Sequence, residues 1–375
     1  MLITDKQELK KYEAIHRVWQ GIPGIEVTKS GRIFATFYSG NTVEGKGNFV
    51  ALLQSDDDGK TFSEPVAVAF KKEGRCFDEV LWIDPLGRLW MTWSYCSDVE
   101  EGGVFGVICD DPDAEELKWG DVFFIGKFVM MNKPTVLSDG KWLFPVAVWH
   151  SVVKIFGLPP EDYGFPEEEK AAFVYCTEDQ GRSFQKLGGA VAPQRNVDEH
   201  MILELRDGRL LMLIRTPRGA DAAWSDDQGK TWTVPVDSGL GGPCSRLFIR
   251  RLKSGRVLLI NHYEFTGRNN LTALLSQDDG KTWPYKLLLD ERSDVSYPDA
   301  VETEDGSIYL TYDRERGSFK PDLATAMADA REILIAKITE ADIMAGELVS
   351  EGSFLKGIIS KLGEYADADP FLTLE

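Results

Sequence analysis

Hydrophobic strands follow short glycine turns six times along this chain, at nearly constant spacing. Each turn ends in glycine and leads into an apolar run, as in Asp207-Gly208-Arg209-Leu210-Leu211. A two-residue glycine turn between apolar runs predicts a β-hairpin, because glycine adopts φ > 0 without steric cost. The turn glycines lie 56, 53, 68, 47 and 51 residues apart, and they are Gly31, Gly87, Gly140, Gly208, Gly255 and Gly306.

Six hairpins with one period predict six copies of one all-β unit. Such a unit is too small to bury its own apolar face, so the copies must pack against each other. Radial packing gives a six-bladed β-propeller around a central axis. We therefore predict an all-β fold in which residues 1–375 form one propeller domain, with the segments 1–20 and 339–375 packing on it.

Three segments lie outside this repeat. A short helix is predicted from Asp5 to about Ala14, and the N-cap residue Thr339, followed by acidic residues, predicts a second helix. An insertion around Ser151–Ala171 makes one interval longer than the others. A loop of this length is typical of a lid or contact surface, but it is equally typical of a variable surface excursion.

A second motif, Ser/Thr-x-Asp-x-Gly-x-Ser/Thr-aromatic, occurs out of phase with the glycine turns. Its aspartate can accept backbone N–H groups across a tight turn, its glycine permits the left-handed conformation, and its aromatic residue anchors the turn. A calcium loop is disfavoured because the terminal glutamate is missing. We interpret the motifs as structural. Four copies begin at Ser55, Thr177, Ser225 and Ser276, and a degenerate fifth begins at Cys109.

The repeats also predict where a site should lie. Positions seven to twelve residues before each turn glycine should be equivalent places at one end of the innermost strands, and they are crowded with ionisable groups. This suggests a polar pocket on the axis, although any one residue could instead form an interblade salt bridge. From blade one to blade six the groups are Gln20-Gly21-Ile22-Pro23, Arg75-Cys76-Phe77-Asp78, Asn132-Lys133-Pro134, Asp198-Glu199-His200, Ser245-Arg246 and Ser296-Tyr297-Pro298-Asp299.

Composition narrows the classes of partner. The net charge of −19 disfavours nucleic acid and anionic membranes. An anionic small substrate stays possible, since a few arginines on the axis reverse the sign locally. The five cysteines show no metal-ligand spacing, so we expect reduced, mostly buried thiols and no metal or other cofactor. Because the N-terminus has no apolar signal core, we expect a cytoplasmic location, or a secreted or periplasmic one after signal removal.

The repeated motif is the Asp box, and with six blades the chain resembles the sialidase (neuraminidase) superfamily. Four Asp boxes in one chain are highly specific for the fold, but a fold does not by itself establish an activity. The resemblance implies an exo-glycoside hydrolase that acts with retention. Its substrate would be a glycan or oligosaccharide that carries a terminal acidic sugar, either sialic acid or a related sugar.

The resemblance also implies roles for individual residues. Tyr297 matches the nucleophile, and Glu199 matches its base. Arg215 and Arg268 match two of the three arginines that hold the substrate carboxylate. Glu44 stands where the family has its acid/base aspartate. A tyrosine suits this chemistry, because a carboxylate nucleophile would be repelled by the carboxylate on the anomeric carbon of sialic acid.

One departure concerns the first arginine of the family, which belongs to an Arg-Ile-Pro motif. The chain has Gly21 at that place. Arg75 and Arg246 are candidate replacements, and Lys133 is a candidate point charge. Asp78 is a second candidate for the acid/base.

Three further ionisable residues of these groups, Asp198, His200 and Asp299, are candidate substrate-binding residues. For His200 a packed, hydrogen-bonded role is favoured, although its side chain titrates near neutrality.

Two other functions stay open at this point. One is a non-catalytic glycan-binding propeller that lost catalysis together with the first arginine. The other is a different carbohydrate-active enzyme on the same fold, either a lyase or a hydrolase of uronic or neutral sugars, with His200, Tyr297 and Arg75 as the working groups. The identity of the sugar, the linkage and the oligomeric state do not follow from the sequence.

Overall fold

The computed structural model of this protein describes residues 1–40, 44–97, 102–149, 167–195, 197–316 and 330–362. The described residues form six antiparallel sheets that follow one another along the chain. Most of the predicted insertion at Ser151–Ala171 lies outside these residues, which include a 3-10 helix at Glu167–Glu169 near its end.

Each sheet is one blade, and its strands are consecutive in sequence. Blade one contains β1 (Leu2–Ile3), β2 (Trp19–Val27), β3 (Ile33–Gly40), β4 (Phe49–Ser55) and β5 (Ala67–Ala69). Blade two contains β6 (Gly74–Ile83), β7 (Leu89–Ser97), β8 (Gly103–Cys109) and β9 (Phe123–Gly126). Blade three contains β10 (Thr135–Val136), β11 (Trp142–Ala147), β12 (Ala172–Thr177) and β13 (Gln185–Ala190).

The other three blades repeat the same order. Blade four contains β14 (Met201–Glu204), β15 (Leu210–Thr216), β16 (Gly219–Ser225) and β17 (Val236–Asp237). Blade five contains β18 (Phe248–Arg251), β19 (Val257–His262), β20 (Leu271–Ser276) and β21 (Tyr285–Asp290). Blade six contains β22 (Val295–Glu302), β23 (Ile308–Arg314), β24 (Glu332–Ile338) and β25 (Phe354–Lys361).

The predicted six-bladed propeller is confirmed. The innermost strand of blade one, β2, contacts both β6 of blade two and β22 of blade six, so the ring is closed. All six turn glycines join the innermost strand of a blade to the strand that follows it, with φ between 83° and 93°. A side chain at these places would be strained, which explains why glycine recurs there.

Two short helices flank the blades. Helix α1 (Lys6–Leu9) is capped by Asp5, and two 3-10 helices follow it. Helix α2 (Glu340–Ala345) begins at Thr339 with a capping box, as predicted. Strand β25 follows α2 and pairs with β24, so blade six continues beyond the last glycine-turn hairpin. None of the helices in the described ranges is long and apolar enough to cross a membrane.

In blades one, three, four and five, the Asp boxes form the turn after the third strand counted from the axis, and their predicted geometry is confirmed. In the fifth blade, Asp278 accepts the backbone N–H of Thr282 at 2.8 Å and its hydroxyl at 2.7 Å. Gly280 donates its N–H to Ser276 Oγ at 2.8 Å. The degenerate copy takes the equivalent place in blade two, where Cys109 forms an isolated bridge with Trp119.

Aromatic side chains fill the space between neighbouring blades. Between blades two and three, the Trp82 and Trp142 rings meet edge to face with centroids 5.0 Å apart. Trp90 packs against Phe144 and Phe184 in the same cluster. All five cysteines are free thiols, and four of them are buried. The blades are therefore held by apolar packing, which leaves polar groups on the axis to be explained separately.

Candidate active site

The residues predicted to line the axis lie at or just before the start of the six innermost strands. The position nine residues before each turn glycine shows how far the blades have diverged. Arg246 donates to the carbonyl groups of Met131 at 2.6 Å and Tyr297 at 3.1 Å, so these strand starts converge. No two blades carry the same residue at this position, which is occupied by Ile22, Asp78, Met131, Glu199, Arg246 and Tyr297.

Three of these positions have an unusual backbone. The register of β2, β6 and β22 shifts at a bulge near the start of each strand. Within the bulges, Ile22, Asp78 and Tyr297 adopt φ of 60°, 47° and 57°. A left-handed conformation costs a non-glycine residue roughly 1–2 kcal/mol, and such strain is concentrated at functional sites.

Tyr297, Glu199 and Arg215 form one hydrogen-bonded group. The Tyr297 hydroxyl donates to Glu199 Oε1 at 2.7 Å, and Arg215 Nη1 donates to the Tyr297 oxygen at 2.8 Å. Arg215 also pairs with Glu199 Oε1. Tyr297 is 4% exposed. Burial raises the pKa of Tyr297, with Arg215 opposing and Glu199 adding to the rise. The phenol is therefore neutral near pH 7 and has an adjacent carboxylate to take its proton.

The hairpin of blade four brings Glu199 and Arg215 together. Met201 of β14 pairs with Leu213 of β15. Glu199 lies two residues before Met201 and Arg215 lies two residues after Leu213, so the same register places Glu199 opposite Arg215. The sequence therefore specified this pair locally, because the turn length sets the register of a hairpin.

Two more guanidinium groups lie against the Tyr297 ring. Arg316 Cζ is 4.0 Å from the ring centroid, and Arg268 Cζ is 5.3 Å from it. Arg268 donates to the Cys244 carbonyl at 3.0 Å. Arg268 and Arg316 are both partly exposed, with 15% of the Arg316 side chain open to solvent. Together with Arg215 they make this part of the axis cationic in a strongly acidic protein.

Glu44 lies between Arg75 and Arg316. Its two carboxylate oxygens are 3.4 Å from Arg75 Nη2 and 3.6 Å from Arg316 Nη1. Arg75 also donates to the Tyr38 hydroxyl at 3.0 Å. Burial alone would raise the pKa of Glu44, but the two arginines and a hydrogen bond with Tyr38 outweigh it and lower that pKa. Glu44 is therefore ionised at neutral pH.

Asp78 has the opposite charge state. Burial raises the pKa of Asp78 well above its usual range, and Glu44 and Glu199 add to the rise, while Arg75 opposes it. Within the described residues, Asp78 Oδ2 has no hydrogen-bond partner. The neighbouring Glu79 is likewise buried, and its pKa is also raised by burial. Burial thus favours the protonated form of Asp78.

Lys133 and Asp299 belong to a second charged group beside the innermost strands. The Lys133 ammonium donates to the carbonyls of Ile25 and Leu81 at 2.6 and 2.7 Å and to Glu26 Oε1 at 2.6 Å. It also lies 3.2 Å from Asp299 Oδ2. Lys133 is 2% exposed. The structure does not bring its charge to the substrate side, because four internal oxygens surround it.

Arg246, His200 and Asp198 also have internal partners. Arg246 donates to four backbone carbonyls, among them that of Pro23 at 3.1 Å. The His200 ring nitrogens lie 3.1 and 2.7 Å from the carbonyls of Asp198 and Phe173, and burial lowers the His200 pKa to about 4. Asp198 pairs with Arg195. These contacts agree with the favoured packed role of His200 and make Arg246 a support beneath Tyr297.

Sequence reasoning missed Arg316 and Tyr38, which both lie on the second strand of a blade or just after it. The second strand of a hairpin ends where the first begins, so its last residues face the same end of the axis. Arg215 lies at such a place on the second strand of blade four, and it was predicted from the resemblance to the family. The same rule applied to blades one and six would have included Tyr38 and Arg316.

No group of three or more metal-ligating side chains occurs among the residues that the structure describes. The polar groups at the axis are a phenol, carboxylates and guanidinium groups. The guanidinium groups of Arg215, Arg268 and Arg316 are cations and would repel a metal ion. The arrangement is suited to acid–base and nucleophilic chemistry.

Comparisons with known proteins agree with the fold. The BNR repeat-like domain family model matches residues 111–310. The sialidase of Micromonospora viridifaciens is 31% identical over 161 residues, which are 40% of this chain and 24% of that protein. The chain thus matches about a quarter of the length of this relative.

Solved structures share the architecture at low identity. The intramolecular trans-sialidase of Ruminococcus gnavus has a TM-score of 0.65 at 14% identity, covering 89% of this chain and 97% of that one. The Hadza microbial sialidase Hz136 has a TM-score of 0.62 at 17% identity, covering 79% and 64%. A protein of unknown function from Dyadobacter fermentans has a TM-score of 0.61 at 18% identity, covering 80% of this chain and 91% of that one. These likenesses show the fold alone, whereas the family match shows that the chain belongs to the BNR repeat-like domain family of the sialidase superfamily.

Proposed function

We propose that this protein is a retaining exo-glycoside hydrolase of sialidase type, which releases a terminal acidic sugar from a glycan. The observation that carries the proposal is the hydrogen-bonded group of Tyr297, Glu199 and Arg215, with Arg268 and Arg316 against the tyrosine ring. A neutral nucleophile beside its base and several cations is what an anionic sugar requires. Family membership makes a glycoside hydrolase-like enzyme the expected class.

In the first step, Tyr297 Oη forms a bond to the anomeric carbon while its proton passes to Glu199. The glycosidic C–O bond breaks, and the leaving oxygen takes a proton from a carboxylic acid of the site. In the second step, the carboxylate left by that acid takes a proton from water, and the water oxygen bonds to the anomeric carbon. The bond to Tyr297 breaks, and the phenol regains its proton from Glu199. Two displacements on one carbon give net retention.

Asp78 is our choice for the acid that protonates the leaving oxygen. Burial raises the pKa of its carboxyl group well above the usual range, which favours the protonated form toward neutral pH. Glu44 is ionised there by Arg75 and Arg316, so it has no proton to give. In this mechanism Glu44 holds the two arginines in place before substrate binds.

The nucleophile is tested by Tyr297→Phe, assayed with an aryl α-glycoside of N-acetylneuraminic acid. We expect turnover to fall by at least about 10³-fold, because the bond-forming oxygen is lost. The matched control is Tyr312→Phe in the same blade, which removes a hydroxyl bound to Asp290 at 3.0 Å in the core. It should cost about 1–2 kcal/mol of stability and leave turnover unchanged.

The same assay separates the alternatives. Normal turnover by the Tyr297→Phe variant would end the nucleophile assignment. Binding of the sugar by the unaltered protein without any product would favour a glycan-binding propeller, and an unsaturated product that absorbs in the ultraviolet would identify a lyase.

A further inference from the structure

The space beside Gly21 is filled by an arginine from another blade. A Cβ atom built on Gly21 would lie 2.5 Å from Arg316 Cδ and 2.8 Å from Arg316 Cγ. Both distances are too short for non-bonded carbon atoms, which approach to about 3.5–4.0 Å. The Arg316 side chain therefore occupies the volume that a side chain at position 21 would need. Glycine at this place is what lets Arg316 reach the axis.

A buried carboxylate holds Arg316 in this position. Arg316 Nε donates to Asp313 Oδ2 at 2.7 Å, and Arg316 Nη2 donates to Ser296 Oγ at 3.0 Å. Asp313 Oδ2 also accepts the N–H of Ile22 at 2.7 Å, and Asp313 Oδ1 accepts the Ser296 hydroxyl at 2.7 Å. One carboxylate thus fixes the guanidinium, the bulge of blade one and the residue before Tyr297. The geometry is set before any ligand arrives.

The guanidinium group of Arg316 also contacts Tyr297 and Glu44. It lies over the Tyr297 ring, and its Nη1 is 3.6 Å from Glu44 Oε1, which is longer than a hydrogen bond. Arg75 and Arg246, the two replacements suggested by sequence, are engaged with Tyr38 and with backbone carbonyls. Arg316 is the better placed cation, because its side chain is 15% exposed, whereas that of Arg75 is 3% exposed and Arg246 is 2% exposed.

We propose that Arg316 determines specificity by binding the carboxylate of an acidic sugar, together with Arg268, in place of a cation from position 21. This inference rests on the proposed function, since it deepens the same site. It makes the recognition of charge depend on blade six, next to the nucleophile, and it assigns to Gly21 the role of providing room. An incoming carboxylate takes over the place that Glu44 has beside Nη1.

The test compares N-acetylneuraminic acid with its methyl ester, which has the same sugar but no charge at the carboxyl group. Binding of both is measured by titration calorimetry to the unaltered protein and to Arg316→Ala. We expect the unaltered protein to prefer the acid and the variant to lose that preference by about 10- to 100-fold, the range for a hydrogen bond to a charged group. Affinity for the ester should change little, which shows that the variant is folded.

A relocation variant and a matched control sharpen the test. Gly21→Arg combined with Arg316→Ala places an arginine in the vacated volume and should restore most of the preference for the acid. Arg314→Ala removes an arginine two residues away that pairs with Glu332 and Glu315, and it should leave both affinities unchanged.

The outcomes separate this inference from the proposed function. An unaltered protein that binds neither compound would overturn the proposed function and, with it, the role of Arg316. An unaltered protein that prefers the acid, with the preference retained in Arg316→Ala, would overturn the role of Arg316 alone.

Discussion

The Asp boxes and the axial pocket show two ways of placing polar groups in one propeller. In the boxes, each aspartate bonds to residues two to four positions away, and the distance from its Oδ1 to the later backbone nitrogen is 2.9, 2.9, 2.9 and 2.8 Å in the four copies. In the pocket, hydrogen bonds join residues 16, 82 and 98 positions apart. Repetition with local bonding marks a structural device, whereas equivalent places filled by different residues mark specialisation.

The same comparison holds for charge. Hydrogen bonds from Thr61 lower the pKa of the box residue Asp57 to about 2. Burial raises the pKa of Asp78 at the axis. An exposed aspartate with N–H and O–H donors is stabilised as an anion, while a buried one is favoured as a neutral acid. One residue type is therefore stabilised as an anion in one region and favoured as a neutral acid in the other.

The largest stability effect is expected for Lys133→Met at the axis. Removal of the ammonium leaves Glu26 and Asp299 as buried charges without their common partner, and breaking such a pair costs about 3–5 kcal/mol. Chemical denaturation should show this loss in the midpoint. The control is Lys141→Met, whose ammonium pairs with Asp139 at the surface, and it should change the midpoint far less. Equal losses in the two variants would contradict the distinction between axis and surface.

A smaller loss is expected when one Asp box is broken. Ser276→Ala removes a buried hydroxyl that accepts the Gly280 N–H and donates to Asp278 at 2.7 Å, which should cost about 1–2 kcal/mol. Ser225→Ala removes the same contacts in blade four and should cost the same amount. Turnover should not change in either variant. Unequal costs, measured by urea unfolding, would show that the boxes are not equivalent.

The last effect concerns the pH dependence of stability. The folded-state pKa of Asp78 is raised, so its contribution is fully present below the unfolded pKa of about 3.9 and is lost as pH rises through the folded pKa. Asp78→Asn has no proton to lose. We therefore expect its melting temperature, measured by scanning calorimetry, to fall less between pH 5 and pH 8 than that of the unaltered protein. Parallel curves would show that Asp78 is already ionised in the folded state.

The box aspartates provide the opposite slope as an internal reference. Their folded-state pKa values are lowered, to about 2 for Asp57, Asp227 and Asp278. Their contribution is present above the unfolded pKa of about 3.9 and is lost as pH falls through the folded values. The melting temperatures of Asp78→Asn and of the unaltered protein should therefore fall in parallel as the pH is lowered below the unfolded pKa of about 3.9.

The fold and the site residues Glu199, Arg215 and Tyr297 could be predicted from the sequence. Glycine at a turn and an aspartate box each act within a few residues, so both can be identified from the printed sequence and counted. The pair Glu199 and Arg215 belongs to one hairpin, whose register is set by its turn. Tyr297 was found at the equivalent place of the last blade. Such features depend on neighbours along the chain, and this is why the sequence determined them.

Only the tertiary structure decided how charge is distributed at the axis. Arg316 reaches Tyr297 because Gly21, in another blade, leaves room for it. Lys133 is surrounded by oxygens from three strands, and burial raises the pKa of Asp78. Burial, and the choice of which side chain fills a shared volume, depend on residues up to hundreds of positions apart, so no local pattern could specify them.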